Sequence, residues 1–406
     1  MAPLPAPVQG HPLTPAPAAG PGLYVHVPFC RSRCPYCDFA TAPYTGSGAR
    51  RWVAAVRREA AAARGRVGDA VFATRFLGGG TPSRLAPADL EELTRGLEAA
   101  LRIAPGGEFT LEANPEDVDA ARLAAWREAG VNRVSLGVQS WEEGELRRLG
   151  RAHGEAGAAA AAAAVAGAFA DWSLDLIFGF PGHTADAWRR TLARTLACGP
   201  PHVSAYHFTA EAGTPTGEAV RAGRVRAPDE AAAAELFEAA AAVLCAAGYR
   251  QYEVSNFARP GHESAHNLVY WRRRPYLGLG PSAVSFWGGR RWRNIRDAAG
   301  YAERALAGGD CAEESEDVTA RAALETFMLG LRLEDGVAWA DIEALGSDGE
   351  PWAAAARELA ERGLLEVGQA GVRVPAGRRR LTDEIVLALW RAAEPAAAPQ
   401  ASGGPR

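Results

Sequence analysis

Three cysteines, Cys30, Cys34 and Cys37, lie within eight residues in the spacing C-x3-C-x2-C. An odd number of thiols this close cannot all pair as disulfides. Structural zinc sites usually take four ligands that arrive as two separated pairs, and an iron–sulfur cubane normally takes four cysteines. Three cysteines would leave one iron of a cubane open to an outside molecule. The run therefore predicts a metal centre, with zinc or chance clustering as the alternatives to a cubane.

Two further features suit a ligand site. The segment Gly78–Pro82 (GGGTP) follows a predicted strand, Val71–Leu77, and consecutive glycines let a backbone approach a ligand closely, although an ordinary tight turn is the alternative. Glu112 lies at the end of another predicted strand. Asp175 interrupts the apolar strand Trp172–Phe178, where a carboxylate costs free energy unless it is partnered. We expect both carboxylates to face a ligand.

Composition limits the function classes. A chain of 406 residues with 48% hydrophobic residues can bury a large core and suggests a barrel with a smaller second domain. A net charge of −4 gives no overall electrostatic case for nucleic acid, so no nucleic-acid partner is expected. The sequence offers no membrane span and no recognisable targeting signal, which predicts a cytoplasmic protein with reduced cysteines.

Six predicted strands alternate with helices through the first part of the chain. They are Leu23–Pro28, Val71–Leu77, Glu108–Ala113, Arg133–Val138, Trp172–Phe178 and His202–Phe208. Such alternation predicts an α/β fold with a parallel sheet whose ligand-binding residues collect at the carboxyl edge. Six units rather than eight indicate an open, partial (β/α)6 barrel.

Beyond residue 248 the pattern changes. Helices and two short strands, Leu364–Val367 and Val372–Val374, predict a small C-terminal α+β domain of winged-helix-like form. We divide the chain into a disordered Pro/Ala leader (1–21), the barrel (22–248), an aromatic and Arg-rich connecting segment (249–316), the C-terminal domain (317–395) and a disordered tail (396–406).

The cysteine triplet, with Tyr36 before its last cysteine, resembles the radical S-adenosylmethionine (SAM) superfamily. This resemblance implies a (β/α)6 barrel and a [4Fe-4S] cluster held by the three cysteines, with SAM on the open iron. It further implies a set of residues that contact SAM. They are Tyr24, Phe39, Gly79, Gly80, Thr81, Glu112, Gln139, Arg151 and Asp175.

From about Gly22 to Phe286 the order of motifs resembles the oxygen-independent coproporphyrinogen III oxidase family. One branch of that family decarboxylates the porphyrinogen, and the other, the HemW-type haem chaperones, passes haem to acceptor proteins. Phe39 stands where the oxidase branch has a fourth cysteine, and the leader is short. Both features favour the haem chaperone branch over the oxidase. A radical SAM enzyme acting on an unrelated substrate is a third hypothesis.

The segment His266–Trp271 (HNLVYW) resembles the H-N-x-x-Y-W box that is implicated in haem binding in this branch. His266, Asn267, Tyr270 and Trp271 are therefore the predicted haem site, with His266 as a candidate axial ligand. The weaker ligand candidates are His262, Cys245 and His26, and the arginines 272–274 are candidates for the haem propionates. Val284 stands where the family commonly has a histidine. The implied partners are haem, acceptor proteins (with membrane-associated respiratory proteins as candidates) and a second copy in a homodimer.

Overall fold

The computed structural model describes residues 20–226 and 229–393. Nearly all of the predicted leader and the whole predicted tail therefore lie outside the described residues. Within these ranges, no helix is both long enough and apolar enough to cross a membrane.

The six predicted strands form one parallel sheet, in agreement with the predicted fold class. Residues Phe29–Cys30 and Ala42–Pro43 form a further short parallel pair beside the cysteine loop. The strands of this part of the chain are β1 (Gly22–Val27), β2 (Phe29–Cys30), β3 (Ala42–Pro43), β4 (Val71–Gly79), β5 (Arg102–Ala113), β6 (Arg133–Gln139), β7 (Asp171–Phe178) and β8 (His202–His207). Each of β1, β4, β5, β6, β7 and β8 pairs in parallel with the next. Their carboxyl ends consequently meet at one edge of the partial barrel.

Helices alternate with the strands of this sheet. They are α1 (Gly46–Val67), α2 (Pro87–Ala100), α3 (Ala120–Glu128), α4 (Glu143–Arg148), α5 (Glu155–Ala168), α6 (Ala185–Cys198), α7 (Pro215–Arg221) and α8 (Glu230–Ala246). In α1, Trp52, Val53 and Val56 are buried, as expected for an amphipathic helix on a sheet. Thr45 caps this helix by accepting the Gly48 N–H at 3.1 Å. The apolar face of α1 thus holds it against the sheet that carries the cysteine loop.

The segment 249–316 extends the sheet at both edges, which the sequence analysis did not predict. Its elements are β9 (Arg250–Gln251), β10 (Asn256–Ala258), α9 (Ala265–Trp271), β11 (Tyr276–Leu279), β12 (Val284–Trp287), β13 (Arg290–Asn294), α10 (Ala298–Leu306) and β14 (Ala312–Asp317). The strand order of the resulting sheet is β14-β13-β12-β11-β1-β4-β5-β6-β7-β8-β10-β9. Strand β11 is parallel to β1, whereas β12 to β14 and β9 to β10 are antiparallel additions.

The last part of the chain has a core of its own. Its elements are α11 (Ala322–Gly330), β15 (Val337–Ala338), α12 (Trp339–Glu343), α13 (Glu350–Glu361), β16 (Glu366–Val367), β17 (Gly371–Arg373) and α14 (Thr382–Ala393). Phe327 stacks on Trp352 with ring centroids 5.3 Å apart at the centre of this core. The three strands form an antiparallel sheet in the order β15-β17-β16, consistent with the winged-helix-like prediction.

A buried carboxylate joins this C-terminal unit to the extended sheet. Glu325 of α11 accepts hydrogen bonds from Arg273 Nε at 2.8 Å and from Arg291 Nη1 at 2.7 Å. Only 5% of the Glu325 side chain is exposed. Arg272 likewise lies 3.6 Å from Asp335. Two of the arginines that were expected to meet haem propionates therefore bind acidic side chains of the C-terminal unit, because that unit packs directly against them.

We expect Glu325→Ala to lower the free energy of unfolding by about 3 kcal/mol, since it leaves two partly buried arginines without their carboxylate. The matched control is Glu366→Ala, which removes an exposed pair with Arg373 (2.8 Å) and should cost at most about 1 kcal/mol. Urea unfolding followed by tryptophan fluorescence measures both. Equal losses in the two variants would contradict the structural role of Glu325.

Candidate functional site

A cavity of about 560 Å³ opens inside the barrel, and it collects nearly all of the predicted site residues. The predicted residues that line it are Tyr24, Cys30, Cys34, Cys37, Phe39, Gly79, Gly80, Thr81, Glu112, Gln139, Arg151, Asp175, His266, Asn267 and Tyr270. They converge because parallel strands present their carboxyl ends at the same edge. Trp271 is the exception among the predicted residues, since it packs beside Tyr252, Leu268 and Leu333 instead.

The three thiols are partly exposed, with Cys30 at the end of β2 and Cys34 and Cys37 on the loop that follows it. Arg151 Nη1 lies 3.7 Å from Cys34 Sγ, and Thr81 Oγ1 lies 3.6 Å from Cys30 Sγ. Burial raises the pKa of the Cys30 and Cys37 thiols, so ionisation needs a compensating positive charge. No group of three His, Cys, Asp or Glu side chains within the described ranges is arranged to hold a single ion. A cubane would take one cysteine on each of three irons.

The glycine segment is packed tightly against β1. Gly79 has φ +107°, and a Cβ there would lie 2.4 Å from the ring of His26. A Cβ on Gly80 would lie 2.8 Å from Val27 O. These glycines are therefore required by the close approach of β4 to β1, whatever they contribute to a ligand. The Gly79 N–H donates to Glu112 Oε2 at 3.0 Å.

Two carboxylates project from neighbouring parts of the sheet into the cavity. Burial, and secondarily Asp175, raises the pKa of Glu112 to about 8. Asp175 accepts hydrogen bonds from Ser135 Oγ at 2.7 Å and from Ser173 Oγ at 3.3 Å. Burial also raises the pKa of Asp175. The partners that a carboxylate inside an apolar strand requires are thus serine hydroxyl groups on the same sheet.

Arg151 lies between the cysteine loop and the strand ends. Its Nη2 donates to Gly137 O at 3.0 Å and to Asn114 Oδ1. Its buried Nε finds no hydrogen-bond partner in the described part of the chain. Gln139 has φ +68° at a β-bulge, an uncommon conformation that directs the strand end at the cavity. A buried donor without a partner and a strained strand end are both consistent with a polar ligand here.

The H-N-x-x-Y-W box forms α9, which lies along the cavity wall. His266 is buried with 1% exposure, and its Nδ1 and Nε2 lie 2.8 Å from Thr74 Oγ1 and Tyr270 Oη. Burial lowers the pKa of His266 to about 3, so the ring is neutral. Both ring nitrogens of this candidate axial ligand therefore contact protein hydroxyl groups, because the helix turns the side chain inward.

The weaker ligand candidates, unlike His266, are absent from the cavity lining in the described part of the chain. His262 hydrogen-bonds to Asp171, and His26 Nε2 lies 2.8 Å from Ala40 O. Cys245 is exposed on α8. Val284, which replaces a histidine common in the family, is half-buried on β12.

Sequence reasoning missed a set of small polar and aromatic residues inside the barrel. Those that line the cavity are Phe76, Thr110, Asn114, Arg133, Ser135, Ser173, His202, Ser204 and Tyr206. The period-two alternation within the strands was the available signal, since Ser135 and Gly137 share one face of β6 and Ser135 lies opposite Ser173 of β7.

Known proteins resemble this chain over most of its length. The family model described as "Radical SAM superfamily" matches residues 24–194, and "HemN C-terminal domain" matches residues 320–377. A relative from Mycobacterium tuberculosis, Heme chaperone HemW, is 38% identical over 95% of this chain and 98% of its own length. Its Synechocystis namesake is 37% identical over 79% and 80%. The solved Escherichia coli coproporphyrinogen III oxidase (HemN) has a TM-score of 0.79 at 22% identity, covering 91% of this chain and 90% of its own, and shows the same fold.

The raised pKa of Glu112 yields a test on the ligand-free protein. Ionising this carboxyl in the folded state is unfavourable, so the wild type should lose stability as pH rises from about 4 towards about 8. Glu112→Gln removes that loss and still offers an oxygen to Gly79 N–H. We expect its melting temperature to match the wild type near about pH 5 and to exceed it increasingly up to about pH 9.

Glu116→Gln is the control of opposite sign. Burial alone would raise the pKa of Glu116, but the hydrogen bond from His153 lowers it below its usual value. This variant should therefore be less stable than the wild type at neutral pH, with the difference shrinking as pH falls through the folded-state pKa. Melting curves of Glu112→Gln that follow the wild type at every pH would show that Glu112 is not held protonated.

Proposed function

The chain belongs to the HemW family of radical SAM proteins, and we propose that it binds haem and delivers it to acceptor proteins. The observation that carries this proposal is Phe39. Its side chain is 55% exposed on the cavity wall, at the position where the oxidase branch has a fourth cysteine. The names of the HemW relatives support the same reading.

The residues present fit the two cofactors of the superfamily. Cys30, Cys34 and Cys37 would hold a [4Fe-4S] cluster, which supplies an electron to SAM when both are bound. Arg151, beside Cys34, would offset the negative charge of the thiolates.

The cavity walls match the polar groups of SAM. Glu112 and Asp175 present carboxyl groups that can accept hydrogen bonds from amino and hydroxyl groups. Thr81 Oγ1 lies 3.6 Å from Cys30 Sγ, so the segment 79–81 reaches the cysteine loop, which suits its predicted contact with SAM. Tyr24, Phe39, Gln139 and Arg151 complete the proposed SAM-contacting set. The buried Arg151 Nε, which has no partner in the described chain, is an available donor to a carboxylate.

Haem transfer requires a haem-binding state and an acceptor. The predicted haem residues His266, Asn267 and Tyr270 face the barrel, whereas Trp271 lies towards the C-terminal unit. An acceptor protein and a homodimer remain proposals from the family resemblance. Coproporphyrinogen decarboxylation is the competing function, and the likeness to the E. coli oxidase supports it only at the level of fold.

The decisive experiment uses anaerobically reconstituted full-length protein. On titration with haem we expect a saturable Soret band. With coproporphyrinogen III, SAM and a reductant we expect no release of carbon dioxide, and the E. coli oxidase assayed in parallel is the positive control. Carbon dioxide release at a rate comparable with that control would replace the chaperone proposal by the oxidase.

The cluster assignment has its own test. Replacing Cys30, Cys34 and Cys37 together with Ala should abolish the visible absorption and the bound iron of the reconstituted protein, because no thiolate would remain at the loop. The matched control replaces the three scattered cysteines, Cys198, Cys245 and Cys311, and should keep the full iron and sulfide content. An intact cluster in the first variant would refute the assignment.

A further inference from the structure

The histidine of the H-N-x-x-Y-W box is enclosed by the barrel, which suggests a different role from haem ligation. We propose that His266 is a positioning residue that fixes the Tyr270 hydroxyl group as a direct contact to SAM in the cavity, and that haem ligation is independent of His266. The inference rests on the proposed occupation of this cavity by SAM, and its SAM measurements do not depend on haem binding.

His266 is packed too tightly to reach an iron atom. Its ring stacks on Phe76 of β4 with centroids 5.1 Å apart. On the side of β1, a Cβ added to Gly22 would lie 3.1 Å from His266 Cε1, so even a methyl group there would crowd the ring. Since both ring nitrogens are bonded, ligation to haem would require breaking the buried hydrogen bond of the coordinating nitrogen and separating this packing.

The start of α9 is fixed as firmly as the ring. Glu108 of β5 accepts the backbone N–H groups of Ala265 at 2.8 Å and of His266 at 3.0 Å. Ser264 Oγ accepts the Asn267 N–H at 3.3 Å. A carboxylate and a capping serine at the first turn both stabilise a helix N-terminus. These contacts anchor the backbone of the box to the sheet and so fix the positions of its side chains.

This arrangement orients the side chain of Tyr270 towards the cavity. Its hydroxyl lies 2.8 Å from His266 Nε2, and its ring meets Tyr276 edge-on with centroids 4.7 Å apart. Burial, together with the neighbouring Tyr24, Tyr276 and Glu112, holds the pKa of Tyr270 well above its usual value, so the hydroxyl keeps its proton. A hydroxyl group held by one partner retains hydrogen-bonding capacity for a ligand. Tyr24, Glu112 and Tyr270 all line the cavity proposed for SAM.

Replacing His266 with Gln or with Asn tests the contacts of its two ring nitrogens separately. The Gln side chain can place its amide nitrogen near the position of Nε2 and so keep the contact with Tyr270, whereas Asn can replace only Nδ1 and its contact with Thr74. Tyr270→Phe removes the hydroxyl and keeps the ring. We expect Tyr270→Phe and His266→Asn to raise the Kd for SAM about three- to tenfold and His266→Gln to leave it near the wild-type value.

Equilibrium binding of SAM to anaerobically reconstituted protein of matched iron content measures these effects. The double variant His266→Asn/Tyr270→Phe should lose no more affinity than the larger single loss, because His266 acts through Tyr270. Unchanged SAM affinity in Tyr270→Phe, which keeps the packing of the ring, would overturn the proposal. Additive losses in the double variant would also overturn it.

The haem complexes give the complementary readout. Neither Asn nor Gln replaces imidazole as an iron ligand, so loss of a low-spin imidazole signature in the electron paramagnetic resonance spectra of both variants would refute the inference. We expect the wild type and both variants to give the same haem spectrum. If the wild type binds no haem, the proposed chaperone function fails, and the SAM affinities still decide the role of His266.

Discussion

The rest of the structure depends on one constraint. Each polar or ionisable side chain inside the barrel needs a hydrogen-bond partner once water is excluded. Asp175 is satisfied by serine hydroxyl groups on its own and the adjacent strands. Glu112 is bonded to the backbone of Gly79, so the glycine segment of β4 and the end of β5 are one unit. Arg151 then connects that unit to the cysteine loop. These hydrogen-bonded polar groups therefore shape the cavity as much as the apolar core behind the sheet does.

The need of buried carboxylates for hydrogen-bond partners also explains how the strands of segment 249–316 are held in place. Glu59 of α1 accepts the Gly280 N–H at 2.9 Å, the Asn294 amide at 2.6 Å and the Tyr301 hydroxyl at 2.5 Å. Burial raises the pKa of Glu59 to about 7, although all three donors favour its charged form. One carboxylate thus joins the first helix to β13 and α10. Together with Glu325 at the C-terminal unit, it shows that long-range carboxylate contacts fix the parts of the chain that follow the barrel.

The six barrel strands were predictable because each is an apolar run that ends in glycine or polar residues, and the convergence of most site residues followed from their shared sheet edge. Strands β13 and β14 could not be predicted, because Arg-rich and Glu-rich segments resemble surface loops when their pairing with each other is unknown. Arg293 and Glu314 bond across these two strands, and that contact joins residues 21 apart in sequence. The inward position of His266 was also beyond local reasoning, because a short helix is oriented by what it packs against rather than by its own sequence.

Helix α9 shows why one sequence motif can contain residues with different structural roles. A helix of seven residues is not stable alone, so its conformation is set by both of its surroundings. His266 and Tyr270 are four residues apart and share the face towards the cavity. Leu268 and Trp271 pack with Leu333, and Arg332 lies over the Trp271 ring at 5.6 Å. The box thus bridges the cavity and the C-terminal unit, and both packing requirements constrain its residues whether or not each one contacts a ligand.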